Sequence, residues 1–328
     1  MNFSNHRNIK IIVEQGNALT IQADVLALKY ANALHGADRA AVQALTPIVP
    51  DIEKYMPKPA GFYLASSQNA FKAEHIIFIG VGPLRQFGYK EIRAFGRKVL
   101  EALAGEIPTV RHVALTIHGP GYGLDEREAF ESEIAGLLDA LDSGDYPENL
   151  DQITIVEANG GRAKRLKVLL DELLSNTSGN HAAQPRPSVQ DRLRSIGYDS
   201  QNKPHVFVAM PFEESMDDIF HYGIQGAVNN TGFLCERADL STFTGDIVEW
   251  VKKRISNASL VVADLSGANP NVYLEVGYAW GCKRPTVLLV QDTTQLKFDV
   301  QGQKCLVYKK IQDLEKSLQF ELEHLKES

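Results

Sequence analysis

The chain has 328 residues, of which 44% are hydrophobic and 23% charged, with a formal net charge of −7. That length suits two domains, each with its own core. The charge argues against a general nucleic-acid binder, which would carry a concentrated basic surface, and leaves room only for a small basic pocket able to hold a phosphate. No apolar run approaches the roughly 18 residues of a membrane span. The three cysteines, Cys235, Cys282 and Cys305, sit in apolar surroundings at no metal-ligand spacing. They read as buried, inert thiols of a cytoplasmic protein with no secretory leader, no metal and no cofactor beyond a bound nucleotide.

In chain order, IKIIVE (9–14), DVLALK (24–29), HIIFIG (75–80), HVALTI (112–117) and QITIVE (152–157) are rich in β-branched residues and read as strands. Helical spacing appears over 89–104, 124–141 and 162–174, so an α/β layer with helices on both faces is expected. The segment IHGPGYGLDEREAF (117–130) runs from a strand through Gly119, Gly121, Tyr122 and Gly123 into a helix. Glycines there would let backbone amides approach a diphosphate, or would simply form a turn. Arg162, Lys164, Arg165 and Lys167 have the spacing of a solvated helix face.

The stretch SNTSGNHAAQPRPSVQ (175–190) has no apolar periodicity and reads as a linker. The expected division is a nucleotide-binding domain over 1–174, a linker over 175–203 and a second domain over 204–328. In the second domain HVFVAM (205–210), GFLCER (232–237), SLVVAD (259–264), PTVLLVQ (285–291) and KCLVYK (304–309) read as strands. Helices are expected at about 214–229 and 245–256, over the stretch after Asp264, and at the C-terminus. Five strands with intervening helices predict a flavodoxin-like doubly wound parallel sheet, which binds ligands beyond the carboxyl ends of its strands.

Asp264 ends the third of these strands, Ser266 and Gly267 turn the chain, and Asn269-Pro270 opens a helix, Asn as cap and Pro at the first position. Asn271, Glu275 and Tyr278 share one face of that helix. A carboxylate at this edge can stabilise or attack the positive sugar formed when an N-glycosidic bond breaks, or can merely hydrogen-bond loop amides. Asp264 could hold a ribose hydroxyl or assist proton transfer. The other strand ends offer ligand contacts in Met210, Pro211 and Phe212, and in Arg237 and Asp239. Thr244-Gly245-Asp246 opens a further helix whose amides suit a phosphate.

VFVAMPF, ERAD, VVADLSGANPNVYLEVGYAWG and FDV together resemble the nucleoside 2-deoxyribosyltransferase-like family, a relative of the TIR-type nucleotide-cleaving domains, over about 205–310. The resemblance implies that Glu275 is the catalytic carboxylate and Asp264 its catalytic or substrate-binding partner. It implies an N-glycosidase acting on NAD or a related nucleotide, with a deoxyribosyltransferase or a non-catalytic nucleotide-binding module as alternatives. It also implies a homo-oligomer. IKIIVEQGNALTIQADVLALKYANAL, HIIFIGVGP and the glycine loop resemble the macro domain, an ADP-ribose-binding α/β/α fold, over about 8–175, and the related N-terminal domain of leucine aminopeptidases. By that resemblance Gly119–Gly123 match the diphosphate loop and Asn32 a ribose contact. The family's Gly-Asp pair is here Gly16-Asn17, and its other phosphate loop has a single glycine, Gly36. Together the two resemblances imply a ligand-sensing domain joined to a nucleotide-cleaving one, a combination suited to a bacterial stress or anti-phage effector.

Overall fold

Two parallel-dominated sheets organise the chain, their central strands short, aliphatic and buried on both faces. The computed structural model describes residues 9–31, 34, 36–83, 87–120, 123–175, 189–237 and 247–327. The chain divides into two units, one formed by Met1–Gly119 and Arg127–Gln201, the other by Pro120–Glu126 and Asn202–Ser328.

The first unit contains β1 (Lys10–Gln15), β2 (Val25–Tyr30), α1 (Gly36–Leu45), β3 (Phe62–Ser66), β4 (His75–Gly80), α2 (Tyr89–Glu106), β5 (His112–Thr116), α3 (Glu126–Ser143, its first residue assigned to the second unit), β6 (Gln152–Glu157), α4 (Gly160–Ser175) and α5 (Val189–Ser195). Its six-stranded sheet has the order β1-β6-β5-β2-β4-β3. All pairs are parallel except β3 with β4. All five strands expected from β-branched runs are present. The sixth, β3, pairs on one edge only and is half-buried; FYLAS is apolar at four of its five positions but is a short run between Gly61 and the polar Ser67–Asn69, without the β-branched residues that mark the other strands. Helix α1 buries Ala41, Val42 and Leu45 against Leu26, Leu28 and Phe78 of the sheet. On α4, Ala163, Leu166 and Leu170 are buried while Lys164 and Lys167 are exposed, as a solvated basic face requires.

Within 175–203, residues 176–188 lie outside the described residues, and Val189–Ser195 is helical. What holds this segment is polar. Buried Arg93 on α2 pairs with Asp139 at 2.7 Å. Its Nη1 donates to the carbonyls of Leu193, Arg194 and Ile196 at 2.8, 3.2 and 2.6 Å. One arginine thereby satisfies the carbonyls at the end of α5, where a short helix leaves acceptors open.

The second unit contains β7 (His205–Ala209), α6 (Glu214–Asp218), a π-helical segment (Ile219–Gln225), α7 (Gly226–Asn230), β8 (Leu234–Glu236), α8 (Ile247–Asn257), β9 (Leu260–Asp264), α9 (Pro270–Gly281), β10 (Thr286–Val290), β11 (Cys305–Val307) and α10 (Ile311–Glu327). Its five-stranded sheet is wholly parallel, in the order β11-β10-β9-β7-β8. Numbered from its own first strand, this is the 2-1-3-4-5 order of a doubly wound, flavodoxin-like sheet.

Alternation along β7 serves two cores. Val206 and Val208 pack with Ile224, Val228, Leu314 and Leu318 on one face. Phe207 and Ala209 pack with Val251, Ile255, Val272 and Val276 on the other. The single helix expected at about 214–229 is present as α6, the π-helical segment and α7 in succession. No helix among the described residues is long and apolar enough to cross a membrane.

Candidate functional site

In a 2-1-3-4-5 sheet the connections leave β7 and β9 toward opposite faces, which opens a crevice at their carboxyl ends. Ala209 pairs with Ala263 in register, so Met210 and Asp264 emerge side by side at that crevice. The chain then turns through Ser266–Ala268, with Gly267 at φ 72° and Ala268 at φ 51°. Asn269 caps α9, its side chain accepting from the Asn271 amide at 3.0 Å, and Pro270 occupies the first turn. Val272, Val276 and Ala279 form the buried stripe of α9, while Leu274 is 70% exposed. The apolar content of this helix is therefore not all core.

Glu275 lies on α9 between these faces, half-buried. Burial pushes its carboxyl up to about 7 from the usual 4.5. Its side chain has no hydrogen bond or ion pair among the described residues. A carboxyl without a compensating partner is costly to ionise, which is the physical cause of the shift. Of its predicted companions, Asn271 is exposed and Tyr278 half-buried, the Tyr278 ring lying 6.0 Å from Lys252 Nζ.

Asp264 has a different environment. It is wholly buried. Its Oδ1 accepts from the Ser266 amide at 3.0 Å and its Oδ2 from the Tyr308 hydroxyl at 2.5 Å. Ser266 Oγ in turn accepts from the Gln291 amide at 3.0 Å, and Gln291 Nε2 donates to the Tyr308 oxygen at 3.2 Å. Burial raises the Asp264 carboxyl, and the hydrogen bonds from Ser266 and Tyr308 oppose that rise. The Tyr308 phenol is pushed up by burial and by the Asp264 charge, so it stays a donor. The network ties together the ends of β9, β10 and β11. As it stands, both Asp264 oxygens are engaged within the fold. Neither Tyr308 nor Gln291 stood out in the sequence, because they lie 44 and 27 residues from Asp264 with no motif between.

Across β7 from β9, Arg237 follows β8. Its guanidinium carbon lies 4.5 Å from the Phe212 ring centroid and 3.9 Å from that of Phe220. Nη1 is 3.7 Å from Met210 Sδ and Nη2 is 3.5 Å from Asp217 Oδ1. Met210 and Pro211 are buried and Phe212 is 38% exposed. The structure thus gathers the predicted Met210, Phe212 and Arg237. It adds Asp217 and Phe220, which a helical periodicity alone does not single out. Asp239, Thr244, Gly245 and Asp246 lie outside the described residues.

Of the glycine loop, Asn32, Gly121 and Tyr122 lie outside the described residues. Gly119 has φ 106° and Gly123 φ 84°, a backbone that glycine adopts without strain. Within the second unit, a Cβ on Gly123 would lie 2.0 Å from Trp250 Cη2, so the close approach this glycine permits is to an indole ring. Two residues on, Asp125 Oδ2 accepts from the Cys235 amide at 2.9 Å.

Lys29, Asp38, His118 and Glu133 are among the buried ionisable groups of the first unit. Lys29 pairs with Asp38 at 2.9 Å. His118 Nδ1 lies 3.4 Å from Glu133 Oε2, which also accepts from the His118 amide at 3.2 Å. Burial, and then the Lys29 charge, lower His118 well below its ordinary value. Burial raises Glu133 well above its own. The same unit has a cavity of about 320 Å³ bordered by Gly80, Gly82, Ala94, Lys98 and Tyr198. No three or more His, Cys, Asp or Glu side chains among the described residues are grouped to hold a metal ion.

No protein-family model and no curated protein matches the chain. Among solved structures, it is similar to the Trypanosoma brucei macrodomain in complex with ADP-ribose, at 16% identity and a TM-score of 0.42, over 49% of this chain and 68% of that one. It is similar also to the Oceanobacillus iheyensis macrodomain with ADP, at 15% identity and a TM-score of 0.42, over 52% of this chain and 95% of that one.

Proposed function

We propose that the second unit is a nucleotide N-glycosidase, with NAD as the leading substrate, and that the first unit is a macro-like domain holding ADP-ribose or a related nucleotide. The observation that carries the first part is Glu275: a half-buried carboxyl without a partner among the described residues, poised near neutral pH, on the helix that leaves the switch point of a doubly wound sheet. In the reaction the bond between C1′ and the base nitrogen breaks, the base leaves with the bonding electrons, and water supplies the oxygen to C1′. Positive charge builds on the sugar. Ionised Glu275 stabilises that charge and takes the proton of the attacking water, a role suited to a group that titrates near the working pH. Asp264 acts as a positioning residue, fixing Ser266 and Tyr308 beneath the crevice.

The reading of the first unit rests on its residue pattern, from IKIIVE to the loop at Gly119. With it comes the setting of a cytoplasmic stress or anti-phage effector, assembled as a homo-oligomer, whose cleavage is governed by a bound nucleotide. The engagement of both Asp264 oxygens favours a second reading, in which the crevice recognises a nucleotide without breaking it. Incubation with NAD, nucleotides and deoxynucleosides separates these, with Glu275→Gln as the control. Base release lost in the variant supports the glycosidase, and release only with an acceptor base identifies a transferase. No release under any condition, ADP-ribose and cell lysate included, leaves the binder. Release unchanged in Glu275→Gln overturns the site.

A further inference from the structure

We propose that the cavity beside α2 is a binding site for a small aromatic carboxylate. None of the residues that line it belongs to the glycine loop or to the second unit. At about 320 Å³ it is large enough for a ligand of one or two rings. Its inner side is apolar, formed by Ile79 and Val81 at the end of β4 and by Phe95 of α2, all three buried. Ala94 is exposed and shares a face of α2 with Lys98 one turn on, so a small residue stands where a longer side chain would fill the space. Tyr198 forms a further wall. Its ring centroid lies 4.5 Å from the Arg93 guanidinium carbon, and at 46% exposed it keeps area on which a ligand ring can pack.

Two cations that line the cavity call for a carboxylate. Arg93, with its side chain 4% exposed, carries five N–H groups. Nε and Nη2 each donate to Asp139 at 2.7 Å, and Nη1 donates to three carbonyls. The second N–H of Nη2 has no acceptor among the described residues. A buried donor left unsatisfied is costly, and a ligand oxygen would relieve that cost. Lys98 supplies the charge. Its ion-pair partner among the described residues, Glu101, lies 3.9 Å away and is already held by Arg97 at 2.6 Å. Glu91 also borders the cavity, but it stands two turns from Lys98 and accepts from the Gly88 amide at 2.9 Å. A carboxylate has one oxygen for the open N–H and one for the ammonium, and a flat apolar body suits the remaining walls. Because Tyr198 lies on the segment that Arg93 fastens, a ligand in the cavity binds the fastened form and holds it.

The test is a fluorescence titration of the full chain with 2-naphthoate and with 2-naphthylmethanol, which share the ring system and differ in the carboxylate. Naphthoate is expected to bind about tenfold tighter, the effect of one charge-assisted contact. Lys98→Met should erase that ratio while the alcohol still binds. Ala94→Leu, which keeps a strong helix former on α2, should abolish binding of both probes. Neither position is buried, so both variants should melt as the wild type does, and lost binding then reports the cavity and not the fold. Bound naphthoate should also slow amide exchange over Leu193–Tyr198. Equal affinity for the two probes, no binding of either, a ratio that survives Lys98→Met, binding that survives Ala94→Leu, or exchange over Leu193–Tyr198 unchanged by naphthoate overturns the proposal.

Discussion

Glu133 in the first unit and Glu275 in the second are both carboxyls that burial raises, each on a helix beside the carboxyl edge of a parallel-dominated sheet. Their surroundings differ. Glu133 is fully buried against His118, with Lys29 close enough to act on both. Glu275 is half-buried and has no partner among the described residues. A raised carboxyl is therefore a common outcome of desolvation. It points to chemistry only where solvent and a ligand can reach it, which separates α9 from α3.

The largest effect should come from the open site. If the chain releases base, its rate should rise as pH increases through about 7, because Glu275 must lose its proton to act. Glu275→Gln should remove that limb and lower the rate by about 10²-fold or more, with no loss of melting temperature. A rate profile flat between pH 6 and 8 would contradict the assignment.

Asp264 should behave in the opposite way. Asp264→Ala leaves the Tyr308 hydroxyl and the Ser266 amide unsatisfied and should cost about 2–3 kcal/mol, read by urea unfolding of the second unit. Tyr308→Phe, which removes a single donor, should cost about half of that. If Asp264→Ala unfolds at the wild-type urea concentration, the positioning role is wrong.

The sealed pair should show itself in stability against pH. His118 is depressed, so its contribution is present above about 6.5 and is lost as pH falls below that value. Glu133 is raised, so its contribution is present below about 4.5 and is lost as pH rises. Between those values the two slopes oppose each other. Stability of the first unit should therefore fall on both sides of that interval, by at most about 1.4 kcal/mol per pH unit for each group. Glu133→Gln should flatten the alkaline limb alone and His118→Gln the acid limb alone. Identical pH profiles for wild type and both variants would show that the pair is not buried as described.

The smallest effect should be at Leu274, which is 70% exposed although it sits in the apolar run around Glu275. Leu274→Ser should change stability by less than about 0.5 kcal/mol. A larger loss would mean that this face of α9 is covered in solution.

Strands buried on both faces were legible because their sequences are continuous β-branched runs, HIIFIG and QITIVE among them. The edge strand Phe62–Ser66 was not, since its short run follows Pro59 and Gly61 closely and holds no β-branched residue. At the site, Asn269-Pro270, Asp264 and Glu275 were legible as a strand end and a capped helix start, which are local signals. The partners that decide what each carboxylate can do were not. Tyr308 reaches Asp264 from 44 residues away, and Phe220 reaches Arg237 through three-dimensional packing alone. The side-chain pattern over 214–229 does not reveal where an α-helix widens into a π-helix.

That widening has a consequence for how the gene can vary. A π-helical segment holds one residue more than an α-helix of the same rise, and each α-helical residue turns the chain by about 100°. Deleting a single residue between Ile219 and Gln225 would let the helix close to α-geometry at little backbone cost, yet would rotate Phe220 away from Arg237 relative to the anchored end at Gly226–Asn230. Length in this helix should therefore be fixed to the residue, while its exposed positions, such as Tyr222, are free to change type.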